Sequence, residues 1–560
     1  MNKILLILQL CFIFFACAKD ESHFEKNSVD TFADIIIKNA QVITVNKNFD
    51  IVNAIAIKGK KILTTGDFAD LKNFKGSQTK VIDAKKRSVL PAFEDSHIHY
   101  LMTLRTSKDI NLGSDDIKRI DDLVVKVAYK VKKEKPGIWI TGFGWDQEKI
   151  VWDKKRAYKW PSRLDLDNVS PDNPVLLFRV DGHVAVANSK ALSLAGIDRF
   201  TKDSAGGVID RFASGEPSGI LKESAVEMVA KLVPEFNFTF DELEKFSYFA
   251  LSNGLASVQE ANLNKNELKF YEKAFSKNKM PLRVNVLLNY QYLDELIDKD
   301  ISTPYEIIPY HLRICGVKFF ADGTLGARTA ALRQPYTDDP YNSGILLHSV
   351  DWFTEMFTRA HKNGIQVCTH AIGDLAIATV LKANLISYNN IDLPPGTYRD
   401  RIEHCQIMSS EIIDEFISQQ MIASIQFSFW ASDRGWVMQR LGEDRLAYAY
   451  AWRKLLDRGV RVTGGTDSPV ETFLPLAGIE NIVKNSNVTV EEAIKLYTMD
   501  SAYAAWQDKY LGSLESGKFA DLIVLSGDIL KTPLDKISAL DVDLTLLDGK
   551  VVYTSHKFPL

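Results

Sequence analysis

From Pro174 to Asp467, short apolar runs end in polar residues, and helix-like segments lie between them. The runs are PVLLFRV, ASVQEA, LRICGVKFFAD, GIQVCTHA, RIEHCQ, MIASIQF and VRVTGGTD, and each reads as a strand. SYFALSNG, DWFTEMFTRAHKNG and EEAIKLYTM carry helical periodicity, and Gly254, Gly364 and Gly459 precede the next strand as helix stops. Strands alternating with helices predict a parallel α/β fold. In an α/β barrel, reactive groups come from the C-terminal ends of several strands, and polar residues closing apolar runs fit that placement.

The two ends of the chain read differently. DIIIKNAQVITVN, IVNAIAIKGKKILTTG and VIDAKKRSVLPAF near the start, and GKFADLIVLSGD and VDLTLLDGKVVY near the finish, are β-branched runs punctuated by Asn, Gly and charge. They predict strands of small sheets at opposite ends of the chain. The stretch from about 100 to 250, with WITGFGWDQEKIVWD near its start, reads as a helix-rich, Trp-rich insertion placed to cap a site.

The strongest local signal is His97-Ile98-His99, closing SVLPAFEDSHIH. In a strand, i and i+2 face the same way, so two imidazoles at this spacing can ligate one transition metal. A solitary HxH carries little weight, because structural histidines produce the same spacing. Its company matters more: His370, His404 and Asp467 each close another apparent strand. Asp467 before Ser468-Pro469 also suits a helix or turn start. Cys315, Cys368 and Cys405 lie near these positions and read as small buried hydrophobes rather than zinc thiolates. No phosphate loop of the GxxxxGK[ST] type and no GxSxG nucleophile elbow is present.

With 68 basic against 72 acidic residues the net charge is −4, which lacks the basic footprint of a nucleic-acid binder. The N-terminal MNKILLILQLCFIFFA is too short to span a bilayer, which takes about 20 residues, and reads as a signal peptide over 1–16. Phe14-Phe15-Ala16-Cys17 resembles a bacterial lipobox, with Phe14 where leucine is usual. That likeness implies lipidation of Cys17, an exported protein held to a membrane, and an outer-membrane location facing the periplasm, since Ala18 is not aspartate. A cleaved, unlipidated protein and an uncleaved anchor are the alternatives. A polar linker over 17–33 follows.

The ordered set HxH, Lys, His, His and Asp resembles the amidohydrolase superfamily. The flanking segments resemble its branch of large amidohydrolases similar to N-substituted formamide deformylase. They are LPAFEDSHIH, WITGFGWDQ, FRVDGHVAVANSKAL, GGVIDR, GEPSGIL, GVKFFADGTLGARTA, THAIGDLAI, RIEHCQ, GGTDSP and GSLESGKFADLIVL. Ala92 stands where glycine is usual, and Phe427 follows Gln426 where proline is common. The resemblance implies an imperfect TIM (β/α)8 barrel over 89–507, interrupted by the insertion, with a composite β-sandwich from 34–88 and 508–560.

It further implies one or two divalent transition metals, zinc foremost. His97 and His99 would hold the more buried ion, Lys318 would take the bridging position, and His370 and His404 would lie on the second-metal or substrate side. Asp467 would touch the metal and act as base, and His404 would stabilise the oxyanion. Lys318 ligates only as a neutral amine or after carboxylation; a strand-end lysine paired with Asp322 is the alternative. His183 in DGHVAVAN and Arg328 in GTLGARTA are the substrate-side expectations. The implied reaction is hydrolysis of a non-peptide C–N bond (amide, N-acyl or N-formyl amine) by metal-activated water. A cyclic amide or ester substrate, or a binding lipoprotein without catalysis, are the rival readings. A small amide-type substrate is the expected partner, and a homodimer is left open.

Overall fold

The computed structural model describes residues 32–113, 116–156, 158–234 and 238–558. The signal and lipidation expectations, Cys17 included, lie outside them. Among the described residues, no helix is long and apolar enough to cross a membrane.

Eight parallel strands form the centre: β1 (Phe93–Ile98), β2 (Leu255–Leu263), β3 (Arg283–Asn289), β4 (Leu312–Phe320), β5 (Val367–Ala371), β6 (Arg401–His404), β7 (Ile422–Ile425) and β8 (Val462–Gly464). Each pairs in parallel with the next along the chain. The seam between β8 and β1 is drawn together at His97, whose carbonyl accepts from the N–H groups of Thr466 (3.1 Å) and Asp467 (2.7 Å). Gly465 permits this approach: a Cβ there would fall 2.6 Å from the His97 nitrogen. The result is a nearly closed barrel with a shared apolar shell outside the strands.

The registers bring the strand ends level. Lys318 lies opposite Cys368, His370 opposite Glu403, and Ala371 opposite His404. Polar residues separated widely in sequence therefore meet at one mouth, as the barrel architecture requires.

Strands from both ends of the chain share the accessory sheets. Ser88–Pro91 pairs with Gln41–Ile43 on one side and Leu522–Leu525 on the other, inside a six-stranded sheet. A four-stranded sheet of N-terminal strands faces it, and Ile37, Ile55, Ile57, Val89, Leu522 and Leu544 pack between them. This is the sandwich.

The segment between β1 and β2, read as helix-rich, carries helices such as Ile120–Val131 and Phe240–Ser252 and also holds a six-stranded sheet. Its strands are Ile110–Asn111, Ile140–Trp145, Val175–Arg179, Val184–Ala187, Gly207–Arg211 and Pro217–Glu223. Glycines and charges inside these strands blur their period, which hides most of the sheet from the sequence pattern. Trp145 is fully buried in this unit's own core.

Candidate metal centre

His97 is the penultimate residue of β1 and has no exposed surface. His99 follows the strand and caps the helix Tyr100–Thr106. Both rings still face the same space, with centroids 5.6 Å apart. His404 closes β6 with its ring 5.0 Å from His97, and His370 on β5 lies 4.5 Å from His404. His97, His404 and Asp467 each offer a ligand atom, and these atoms lie within 4.8 Å of one another.

The outward nitrogens of the rings are all engaged by acceptors. His97 Nδ1 meets Glu403 Oε2 at 2.6 Å, His99 Nδ1 meets the Ala261 carbonyl at 3.0 Å, and His404 Nδ1 meets Gln426 Oε1 at 2.7 Å. Each acceptor fixes a proton on Nδ1 and leaves the Nε2 lone pair facing inward. His370 uses the opposite edge: its Nε2 meets the Gly323 carbonyl at 3.1 Å, which leaves Nδ1 free. Burial holds His99 below the ordinary imidazole range, His370 well below it, and His404 down to about 3. Neutral imidazoles with fixed inward lone pairs are ligands in waiting.

Asp467 supplies the negative charge. Its Oδ1 is buried without a hydrogen-bond partner, 3.1 Å from His99 Nε2 and 3.4 Å from His97 Nε2. An orphaned carboxylate oxygen facing two imidazole nitrogens fits a divalent cation. Asp467 and His404 both adopt positive φ, 55° and 78°, backbone strain of the kind retained at functional sites.

A fully buried chain stands behind His97. Arg401 reaches Glu403 through Nε at 2.5 Å and Nη2 at 3.0 Å, and Glu403 in turn accepts from His97. Burial opposes ionisation of Glu403, but Arg401 and His97 prevail and hold it well below the usual range. Glu403 lies inside RIEHCQ yet stands outside the expected ligand set; the signal available for it is a charged pair inside an apolar strand.

Lys318, on β4, is buried with Nζ 3.5 Å from His97 Nε2. Burial draws its pKa down to about 8. Lys318 forms no ion pair with Asp322, whose oxygens instead accept from the N–H groups of Ala331, Ile372 and Gly373. The three cysteines are buried and free, and burial raises their thiol pKa values, which disfavours thiolate ligation.

The insertion reaches this mouth. His183 lies with its ring 5.0 Å from His370 and its Nδ1 2.7 Å from Glu223 Oε2. Burial lowers its pKa, but the Glu223 carboxylate outweighs that and pushes it up to about 9. Asp181 takes Thr324 Oγ1 at 2.5 Å and Arg179 at 2.6 Å, joining the insertion to the loop after β4. The Arg328 guanidinium is bidentate on Asp338, which also receives Arg440. A neutral His404 that donates Nδ1–H to Gln426 offers a lone pair at Nε2, the geometry of a ligand rather than of an oxyanion donor.

Comparison with known proteins agrees with this arrangement. The amidohydrolase family model matches residues 80–553. YtcJ of Bacillus subtilis (strain 168), whose name places it among amidohydrolases, is 33% identical over 538 residues, covering 91% of this chain and 98% of its own. The N-substituted formamide deformylase of Arthrobacter pascens is 26% identical over 551 residues, covering 93% of this chain and 98% of its own. The crystal structure of an uncharacterized metal-dependent hydrolase from Pyrococcus furiosus is similar at a TM-score of 0.68 and 31% identity, covering 89% of this chain and all of that one. With its histidine and aspartate cluster at the barrel mouth, this chain belongs to the amidohydrolase family of metal-dependent hydrolases.

Proposed function

We propose that the protein hydrolyses a non-peptide C–N bond in a small amide, N-acyl or N-formyl amine. The observation that carries this reading is Asp467 Oδ1, buried, charged and unpartnered between imidazoles whose outward nitrogens are all engaged. The full-length similarity to a deformylase of N-substituted formamides supports the bond type.

His97, His99, His370, His404 and Asp467 would hold the metal, with zinc the first choice for such a nitrogen and oxygen donor set. When bound, the metal polarises a water and a carbonyl oxygen. Asp467 orients the water, takes its proton, and returns it to the leaving nitrogen. His183, held by Glu223, offers Nε2–H to the substrate carbonyl. Lys318, with its lowered pKa, supplies the neutral amine that carboxylation requires, and its carboxylated form would bridge two ions. Export by the N-terminal signal, and lipid attachment at Cys17, complete the proposal.

The test is metal analysis of protein purified without chelators, beside turnover on a panel of N-formyl and N-acyl amines. Asp467→Asn should keep substantial metal and lose about 10²–10⁴ in kcat, while His97→Ala should lose the metal. A count near two ions per chain favours the Lys318 bridge; a count near one favours a single ion. Absence of metal under every loading condition refutes the mechanism and leaves the binding reading.

A further inference from the structure

Glu223 ends the insertion strand Pro217–Glu223 and starts the helix Ser224–Ala230. Its backbone stands at φ 50° and ψ −129°, a conformation that non-glycine residues rarely adopt. Two hydrogen bonds tie it to His183. Its N–H donates to the His183 carbonyl at 2.8 Å, and its Oε2 accepts from His183 Nδ1 at 2.7 Å. The side chain is 5% exposed, and Oε1 is buried without a partner. Gly323, in the loop after β4, makes room for it: a Cβ there would fall 2.1 Å from Oε1. The same glycine's carbonyl accepts from His370.

Strain at a residue that simply ended a strand would be relieved by glycine at no loss. Here a glutamate is kept at the strained elbow, and the glycine sits across from it, where the carboxylate needs space. We propose that Glu223 is a positioning residue of the hydrolytic site. It fixes the orientation of His183 against His370, so that the insertion presents His183 Nε2 to the substrate. The inference rests on the hydrolase reading and adds to it the component that the insertion must contribute.

The experiment uses the full chain with Glu223→Gln, Glu223→Ala and Glu223→Gly. Metal content, Tm, kcat and KM on an N-formyl amine, and the downfield imidazole N–H proton spectrum are measured. Ala and Gly should lower kcat about 10- to 100-fold, the usual range for residues that orient a reactive group, with metal content unchanged. Gln, whose amide oxygen still accepts from Nδ1 but carries no charge, should hold the ring in place and keep KM near wild type while kcat stays low, because a neutral ring so held has only a lone pair at Nε2. Gly should melt above Ala, because it removes the left-handed strain, while remaining as inactive as Ala. That separation of stability from activity is one that a merely structural glutamate would not show.

Activity of Ala and Gly within about threefold of wild type, or loss of metal in proportion to loss of kcat, overturns the proposal. A panel on which the wild-type chain shows no turnover would refute the hydrolase reading instead. The proton spectrum still decides on Glu223 in that case. The His183 Nδ1–H resonance should persist in Gln and vanish in Ala, and its persistence in Ala overturns the positioning role.

Discussion

Glu403→Gln perturbs the metal centre without touching a ligand. Glu403 accepts from Arg401 Nε, Arg401 Nη2 and His97 Nδ1, and its side chain and that of Arg401 have no exposed surface. A glutamine offers one acceptor oxygen and one NH2. If the oxygen stays on Arg401, the NH2 confronts His97 Nδ1–H. The imidazole relieves that by moving its proton to Nε2, which blocks the nitrogen that faces Asp467. Metal affinity should fall about 10- to 100-fold, or about 1.4–2.7 kcal/mol at 1.36 kcal/mol per tenfold. Stability should fall too, because a buried guanidinium loses its counter-charge, a loss of about 3–5 kcal/mol when one partner of a buried pair is removed.

The two effects separate in the double variant Arg401→Met/Glu403→Leu. Removing both charges should restore much of the urea midpoint, short of wild type because the Ser96 carbonyl and Gln259 lose their donor. Metal affinity should stay low, because His97 Nδ1 still lacks an acceptor. Competition against a chromophoric chelator reads the affinity, and urea unfolding reads the stability. Wild-type metal affinity in Glu403→Gln, or recovery of affinity in the double variant, would refute the tautomer argument.

Two further outcomes can be checked with simple variants. Gly465→Ala places a methyl 2.6 Å from the His97 nitrogen and should open the β8–β1 seam, destabilising by about 1–3 kcal/mol and weakening metal binding; unchanged Tm and metal content would count against the seam. Asp548, packed against His311, Arg283 and Lys60, is opposed by burial but held far below the carboxylate range by its His311 hydrogen bond and by Arg283. Its contribution is therefore present above the unfolded pKa of about 3.9 and is lost as pH falls below it. Asp548→Asn should lower the urea midpoint at pH 7 and flatten its fall toward pH 3, and a parallel fall in both proteins would reject the assignment.

Much of this site was legible because strand ends converge in a barrel. Apolar runs closing on His97, Lys318, His370 and His404 predicted the barrel strands on which they lie. Side-chain direction was less legible. Alternation along β6 puts Arg401 and Glu403 on one face and His404 on the other, yet Glu403 and His404 both serve the centre, because His404 turns at φ 78°. Asp467 turns likewise at φ 55°. A period-two pattern carries no information about such turns. Glu403 and Glu223 escaped notice for a related reason. They act through another side chain, and such pairings depend on contacts across 306 and 40 residues of sequence respectively. The Arg328–Asp338 pair is likewise a contact that sequence does not display.

The shared accessory sheet dictates an order of assembly. Ser88 Oγ accepts from the Ile529 N–H across 441 residues, and the strand beginning at Ser88 leads almost directly into β1. During synthesis Ser88–Pro91 can pair early with Gln41–Ile43, but its other edge stays open until Leu522–Leu525 has left the ribosome. Contacts of such long range close slowly and leave strand edges open meanwhile. The late arrival of Leu522–Leu525 acts as a built-in timer that keeps the sandwich, and the base of β1 beside it, unfinished until the last stretch of the chain is made.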